Sequence, residues 1–151
     1  MRSTSIVTRV RPGVLEESAR AVLSSSTREP AVLERWCAEG DVWALVDPAQ
    51  EDVAVAAAVT TMIGDRVVQL HIVHPRDGAD AARLLVGIAD RVRALGVRRL
   101  ISLVGDDETE LLRLLLDAGY RIMHVEPGAC DRSRGWVNDE SRDGLWLQNE
   151  L

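Results

Sequence analysis

The chain has few side chains able to do chemistry near neutral pH. Its three histidines are His71, His74 and His124. Histidine titrates near pH 6.5 and is well suited to take up or release a proton. His74 precedes Pro75, and a residue before proline is held extended, so its role is read as structural. The spacing of the three does not form a metal site. Two cysteines, Cys37 and Cys130, make neither a disulfide framework nor a zinc site. Cys37 falls on the apolar face of a predicted helix, whereas Cys130 falls in a predicted loop and is expected to be exposed. All 18 basic residues are arginine, so Schiff-base and P-loop lysines are excluded. Asp106, Asp107, Glu108 and Glu110 form an acidic cluster. Such a cluster is ordinary chemistry for a helix N-terminus, and binding a cationic amine is the alternative. Arg132, Arg134 and Arg142 stand late in the chain with Asp131, Asp139 and Glu140. They line a substrate site or cover a solvated surface.

These residues must be positioned by a single fold. A chain of 151 residues is read as one domain spanning 1–151. Hydrophobic residues make up 46% and charged residues 28%, a composition that supports a packed core. The net charge of −6 argues against a nucleic-acid partner. The absence of phenylalanine argues against stacking platforms for single strands. Residues Met1 to Val10 lack the apolar stretch of a signal peptide. No run approaches the roughly 20 apolar residues of a membrane span. A cytoplasmic protein with no membrane partner is expected.

Pro12-Gly13 precedes a helical pattern at Val14, Leu15, Ser18, Ala19, Val22 and Leu23. A second helix starts at Pro30, carries Val32, Leu33, Trp36 and Cys37 on one face, and closes at Gly40. Val42–Val46, Val53–Met62 and Val67–His74 read as strands, the middle one alanine-rich and covered on both sides. Leu84, Leu85, Ile88, Val92 and Leu95 form a helical face closed by Gly96. Val97–Val104 is a strand, with Asp106 or Asp107 expected to cap the helix that follows. Leu111–Ala118 is that helix, closed by Gly119. Tyr120–Val125 is a strand, Pro127–Ser141 a loop, and Leu145–Leu147 a last strand. The β-α-β-α-β order from Val67 to Val125 implies parallel crossovers, and the earlier strands form a meander.

This order, with several joints, resembles the GNAT family of acyl-CoA N-acyltransferases. Val73-His74-Pro75 leads through Arg76-Asp77-Gly78-Ala79-Asp80-Ala81 into a helix carrying Leu84-Leu85. Ala94-Leu95-Gly96-Val97-Arg98-Arg99-Leu100 is similar to the family's helix-to-strand joint. Leu114-Leu115-Leu116-Asp117-Ala118-Gly119-Tyr120 is similar to its last helix ending, and Asp143-Gly144-Leu145-Trp146-Leu147 to its final strand. The resemblance covers almost the whole chain. It implies an α/β fold with a mixed, mostly antiparallel central sheet and flanking helices.

The resemblance also implies a function. The cosubstrate would be acetyl-CoA or another acyl-CoA, with no metal, and the acceptor a small-molecule or peptide amine. Val73, Arg76, Gly78, Ala79, Asp80 and Ala81 would bind the cosubstrate, its pyrophosphate resting on the unpaired amides of a helix start. The joint departs from the family's Gln/Arg-x-x-Gly-x-Gly/Ala pattern, fitting only at Arg76 and Ala81. It is also about two residues short, and acidic at Asp77 and Asp80. If either acid caps the helix, the anion's place is taken. The family often places a tyrosine as general acid where Leu115 stands here. Tyr120 is then a candidate catalytic residue or a packing residue. His71 lies in the strand that splays to admit the pantetheine arm and is the candidate base. Alternation along that strand puts His71 on one face with Gln69 and Val73, opposite Leu70 and Ile72. A homodimer is a further expectation of the resemblance. The alternative is a protein of this fold without transfer activity, acting as a binding or regulatory module.

Overall fold

The computed structural model describes residues 5–26, 28–137 and 142–151. Asp139 and Glu140 of the predicted late loop lie outside them. The elements are β1 (Ile6–Arg9), α1 (Val14–Ser24), α2 (Pro30–Glu39), β2 (Asp41–Val46), β3 (Ala54–Gly64) and β4 (Val67–His74). These are followed by α3 (Gly78–Ala94), β5 (Arg99–Gly105), α4 (Thr109–Asp117), β6 (Arg121–Cys130) and β7 (Arg142–Glu150). A short 3₁₀ turn, Arg132–Arg134, follows β6. The seven strands form one sheet in the order β1-β2-β3-β4-β5-β7-β6.

Among the described residues only β4 and β5 pair in parallel, so the sheet is mixed and mostly antiparallel, as expected. The predicted crossover from β4 through α3 to β5 is present. β6 runs parallel to β5 but does not touch it as a partner, because β7 inserts between them.

Each face of the sheet carries its own core. Leu84, Leu85 and Ile88 of α3 and Leu111 and Leu115 of α4 pack on Trp43, Leu45, Leu70 and Leu100. Ala19 and Leu23 of α1 and Val32 and Trp36 of α2 pack on the other face, over Val42, Ala44, Ala57 and Val59. Ala56, Ala57 and Ala58 are fully buried, which explains the alanine run: helices approach β3 from both sides.

Several expectations are corrected. β1 was not anticipated. β6 does not stop at Val125 but continues through Pro127 and Gly128 to Cys130, with a register shift between Glu126 and Cys130. An edge strand has free N–H positions, so proline costs no ladder bond there. Cys130 is therefore fully buried rather than exposed, and burial pushes its thiol up to about 11. Gly96 and Gly119 are left-handed, as helix-closing glycines should be, with φ of 91° and 99°. Gly40 is not. It ends α2 in an extended conformation, and a Cβ there would lie 2.2 Å from the Thr60 carbonyl oxygen. Close approach to β3, not backbone handedness, requires that glycine. Neither Asp106 nor Asp107 caps α4: Glu108 occupies the cap position without a capping bond.

Candidate active site

β4 and β5 pair only from Val67↔Arg99 to Leu70↔Ser102. Beyond that point both strands continue, β4 to His74 against β3 and β5 to Gly105 against β7. They part into a V. At its apex the buried Ser102 hydroxyl donates to the Leu70 carbonyl at 2.9 Å, pairing an oxygen that the divergence would orphan. The β4 backbone from His71 to His74 has no strand on its β5 side.

The V opens where β4 is bulged. Val59 and Thr60 are consecutive on β3, but their partners are Ile72 and Leu70, so His71 is the extra residue. A bulge breaks the two-residue alternation. Val73 joins Leu70 in the core under α3, whereas Ile72 joins the core under α2. The expected sharing of a face by His71 and Val73 is thus corrected. His71 instead lies on the α2 side with Ile72.

There the His71 ring stacks on Trp36, with centroids 4.4 Å apart and planes at 17°. Its Nε2 shares a hydrogen bond with Thr61 Oγ1 at 2.6 Å. Burial, reinforced by Arg35 and Arg28, lowers its pKa to about 4. The imidazole is neutral at pH 7 and a weak base. The unfolded chain protonates His71 near pH 6.5. Between pH 6.5 and 4 it therefore holds a proton that the folded chain rejects, and folding stability falls with pH across that window. His74 adds to the loss, its pKa also lowered by burial and by Arg76. The His71 part reaches up to about 3 kcal/mol at the acid end. His71→Gln keeps a partner for Thr61. Its stability, measured by urea unfolding at several pH values, should fall less steeply between pH 6.5 and 4 than that of the parent. Parallel curves would refute this.

A cavity of about 280 Å³ lies beside His71. Its walls include Trp36, Trp136 and Trp146, and it reaches Leu70 and Leu103, where the strands part. Its polar groups include Gln69, Ser133, Arg35 and Arg134. The 131–137 segment closes one side. It is docked by a bridge between Arg28 and Trp136 and by the Glu29 amide, which donates to the Gly135 carbonyl at 2.8 Å. Gly135 is required there: its φ is 99°, and a Cβ would lie 2.6 Å from the Trp36 ring.

At the other end of the V stands the first turn of α3. Asp77 occupies the cap position but makes no side-chain cap bond. Asp80 leans to Arg83 at 3.9 Å on the helix flank. Neither acid takes the place of an anion at the helix start. Gly78 has a φ of 92°, and nothing lies within 4 Å of where its Cβ would be. Ala79 is exposed, while Ala81 is fully buried against the sheet. A groove of about 610 Å³ runs from Asp77, Gly78 and Ala79 to Arg113 on α4. Arg113 was not anticipated.

A buried charge node, also unanticipated, ties Trp136 of the cavity wall to Arg76 of the joint before α3. The Glu108 carboxylate is 3.5 Å from Arg28 and 3.3 Å from Arg76. It also accepts from the Gly105 amide at 2.9 Å and from Trp136 Nε1 at 3.2 Å. Arg28 lies 4.0 Å over the Trp136 ring. Arg76, expected at the phosphate, thus faces Glu108. The predicted acidic cluster divides. Glu108 is this node, Asp107 pairs with Arg142, and Glu110 is the ordinary first-turn acid of α4.

Tyr120 is 4% exposed in the core beneath α3 and α4. Burial pushes its phenol well above the usual tyrosine range. It lines neither the tryptophan cavity nor the α3–α4 groove. Leu115 is fully buried in the same core. His124 stands on β6, with its ring centroid 6.3 Å from that of Trp146. Among the described residues no helix is long and apolar enough to cross a membrane.

No family model and no curated protein matches the sequence. Solved structures do match the fold. The IAA acetyltransferase of Bacillus cereus superposes with a TM-score of 0.78 at 14% identity, over 98% of this chain and 100% of that one. A Bacillus subtilis acetyltransferase in complex with CoA gives 0.78 at 14% identity, over 98% and 99%. A GNAT family acetyltransferase of Elizabethkingia anophelis with acetyl-CoA bound gives 0.76 at 11% identity, over 99% and 100%. At these identities the likeness establishes the GNAT fold.

Proposed function

With the GNAT fold as premise, we propose that the chain is an acyl-CoA-dependent N-acyltransferase, with acetyl-CoA as cosubstrate. The observation that carries this is the divergence of β4 and β5 beyond Leu70 and Ser102. A tryptophan-walled cavity reaches the point where the strands part, and the helix that follows β4 starts uncapped. Two of the similar structures hold CoA or acetyl-CoA.

The residues fit such a ligand. The first-turn amides of α3 at Gly78, Ala79, Asp80 and Ala81 offer unpaired donors and the positive end of the helix dipole to a pyrophosphate. Gly78 leaves the approach open, and Arg113 supplies a cation across a groove that Asp77, Glu110 and Asp117 also line. Val73 contributes backbone, its side chain being core. Arg76 holds the joint through Glu108. Bound acetyl-CoA would supply an activated acyl carbon. Unpaired β4 backbone N–H groups at the bulge can polarise a carbonyl placed in the V. An amine must be neutral to attack, and the positive field of Arg35 and Arg28 disfavours its ammonium form. His71, with a pKa of about 4, can accept a hydrogen bond from the amine through the ring nitrogen that Thr61 does not engage, while the proton that the nitrogen sheds goes to solvent.

The test is a thermal-shift series with acetyl-CoA. Ligand at 100 times its dissociation constant stabilises by about 2.7 kcal/mol, a shift of several degrees for this chain length. A saturable shift, followed by amine-dependent thiol release, is expected. A flat response to millimolar ligand overturns the proposal. Leu115 favours a second possibility, since a leucine cannot protonate a leaving thiolate. Saturable binding without thiol release from any amine would make the chain a CoA-binding module.

A further inference from the structure

The cavity beside His71 carries a charge pattern that acyl transfer alone does not require. Two guanidiniums, Arg35 and Arg134, line it, and among the described residues no aspartate or glutamate does. Arg134 is paired with Glu126, which stands outside the lining. Arg35 is on the exposed side of α2 and has no ion pair among the described residues. Arg35 and Arg28 both act on His71 with positive charge. The one buried acid nearby, Glu108, is shared between Arg28 and Arg76.

An amine in neutral water is an ammonium ion. A simple cation entering the cavity meets Arg35 and finds no carboxylate among the described lining residues, and two aromatic faces that could have attracted it are occupied. Trp136 holds Arg28 on one face, and Trp36 holds His71. The repulsion disappears when the same molecule brings its own anion. The apolar walls suit a flat hydrocarbon substituent. The volume, about 280 Å³, is at the small end of ligand sites, sized for one residue rather than a folded partner.

Resting on the transferase function proposed above, we infer that the acceptor is a free α-amino acid with a planar apolar side chain. Its carboxylate pairs with Arg35, and its side chain lies against the tryptophans. A peptide amino terminus lacks that carboxylate and is the disfavoured acceptor.

Three probes separate the cases: L-phenylalanine, L-phenylalaninamide and phenethylamine. The amide stands in for a peptide terminus, and the amine lacks any carbonyl substituent. Binding is read by quenching of the cavity tryptophans without acetyl-CoA, and transfer by thiol release with it. Phenylalanine should bind and react about 10-fold better than either analogue, the size of one partly screened charge-assisted contact. Arg35→Gln should raise KM for phenylalanine to the level of phenylalaninamide, so that the preference for the carboxylate-bearing probe is lost. Equal or better use of phenethylamine or the amide overturns the inference, as does unchanged selectivity in Arg35→Gln. So does failure of all three probes to bind a protein that binds acetyl-CoA. If acetyl-CoA does not bind but phenylalanine quenches through Arg35, the transferase function fails and the amino-acid site stands.

Discussion

Glu108→Ala should destabilise the fold by about 3–5 kcal/mol, the usual cost of removing one partner from a buried ion pair. The carboxylate is 5% exposed at the side chain and Arg28 only 3%. Without Glu108, Arg28 is left charged and buried beside Arg76, having lost its ion-pair partner. The Gly105 amide and Trp136 indole lose their acceptor as well. A thermal midpoint lowered by about 10 °C follows for a chain of this size. Glu108→Gln retains an oxygen for both donors and loses only the charge, so about half the effect is expected. A double change, Arg28→Met with Glu108→Leu, should recover most of the loss, since a packed apolar pair can replace a buried ionic one. Urea unfolding of the four proteins tests this. A loss below about 1 kcal/mol in Glu108→Ala would mean that water reaches Arg28 after all.

The same variant bears on function, because Glu108 joins four segments that the chain keeps far apart. Arg28 follows α1, Arg76 enters α3, Gly105 ends β5, and Trp136 closes the cavity. No sequence pattern announces the node. Residues 28, 76, 108 and 136 share no period, and Glu108 sits in an acidic run whose other members are ordinary helix-start and surface charges. The tryptophan cavity was hidden for a similar reason. Trp36 reads as one apolar position on a helical face, and Trp136 and Trp146 flank a polar stretch. Only the docking of 131–137 onto Arg28 and Glu29 brings them together.

What the sequence did reveal follows from strong local signals. The long apolar strands and the leucine-rich helices have unambiguous periods, and glycines mark the ends of α3 and α4. His71 was legible because few side chains here titrate near neutrality. Its orientation was not, since alternation assumes an unbroken strand and the bulge falls at that residue. Ile6–Arg9 was missed because two exposed and two half-buried residues carry little pattern. The late course of β6 was missed because Pro127 and Gly128 signal a turn in most settings, and an edge strand is the setting that accommodates them.

Ala79→Glu should move stability and ligand affinity in opposite directions. Ala79 is exposed in the first turn of α3 and lines the groove at the helix start. An acid in a first turn is favoured by the helix dipole by about 0.3–1 kcal/mol, so the ligand-free protein should melt at the same temperature or higher. A pyrophosphate held on those same amides would meet a new negative charge. At about 4 Å that repulsion is about 1 kcal/mol in water and about 4 at an effective dielectric of 20. The groove is open to solvent, which places the loss of acetyl-CoA affinity at about 10-fold, shrinking as salt is raised. Asp80→Asn should do the reverse, binding acetyl-CoA several-fold tighter while lowering the ligand-free midpoint slightly. General unfolding cannot mimic this, because it lowers both quantities together. Calorimetric titration of acetyl-CoA against both variants decides it. Equal affinity in the parent and in Ala79→Glu would show that the phosphates do not rest on α3, and the anion site would have to be sought elsewhere along the groove, nearest to Arg113.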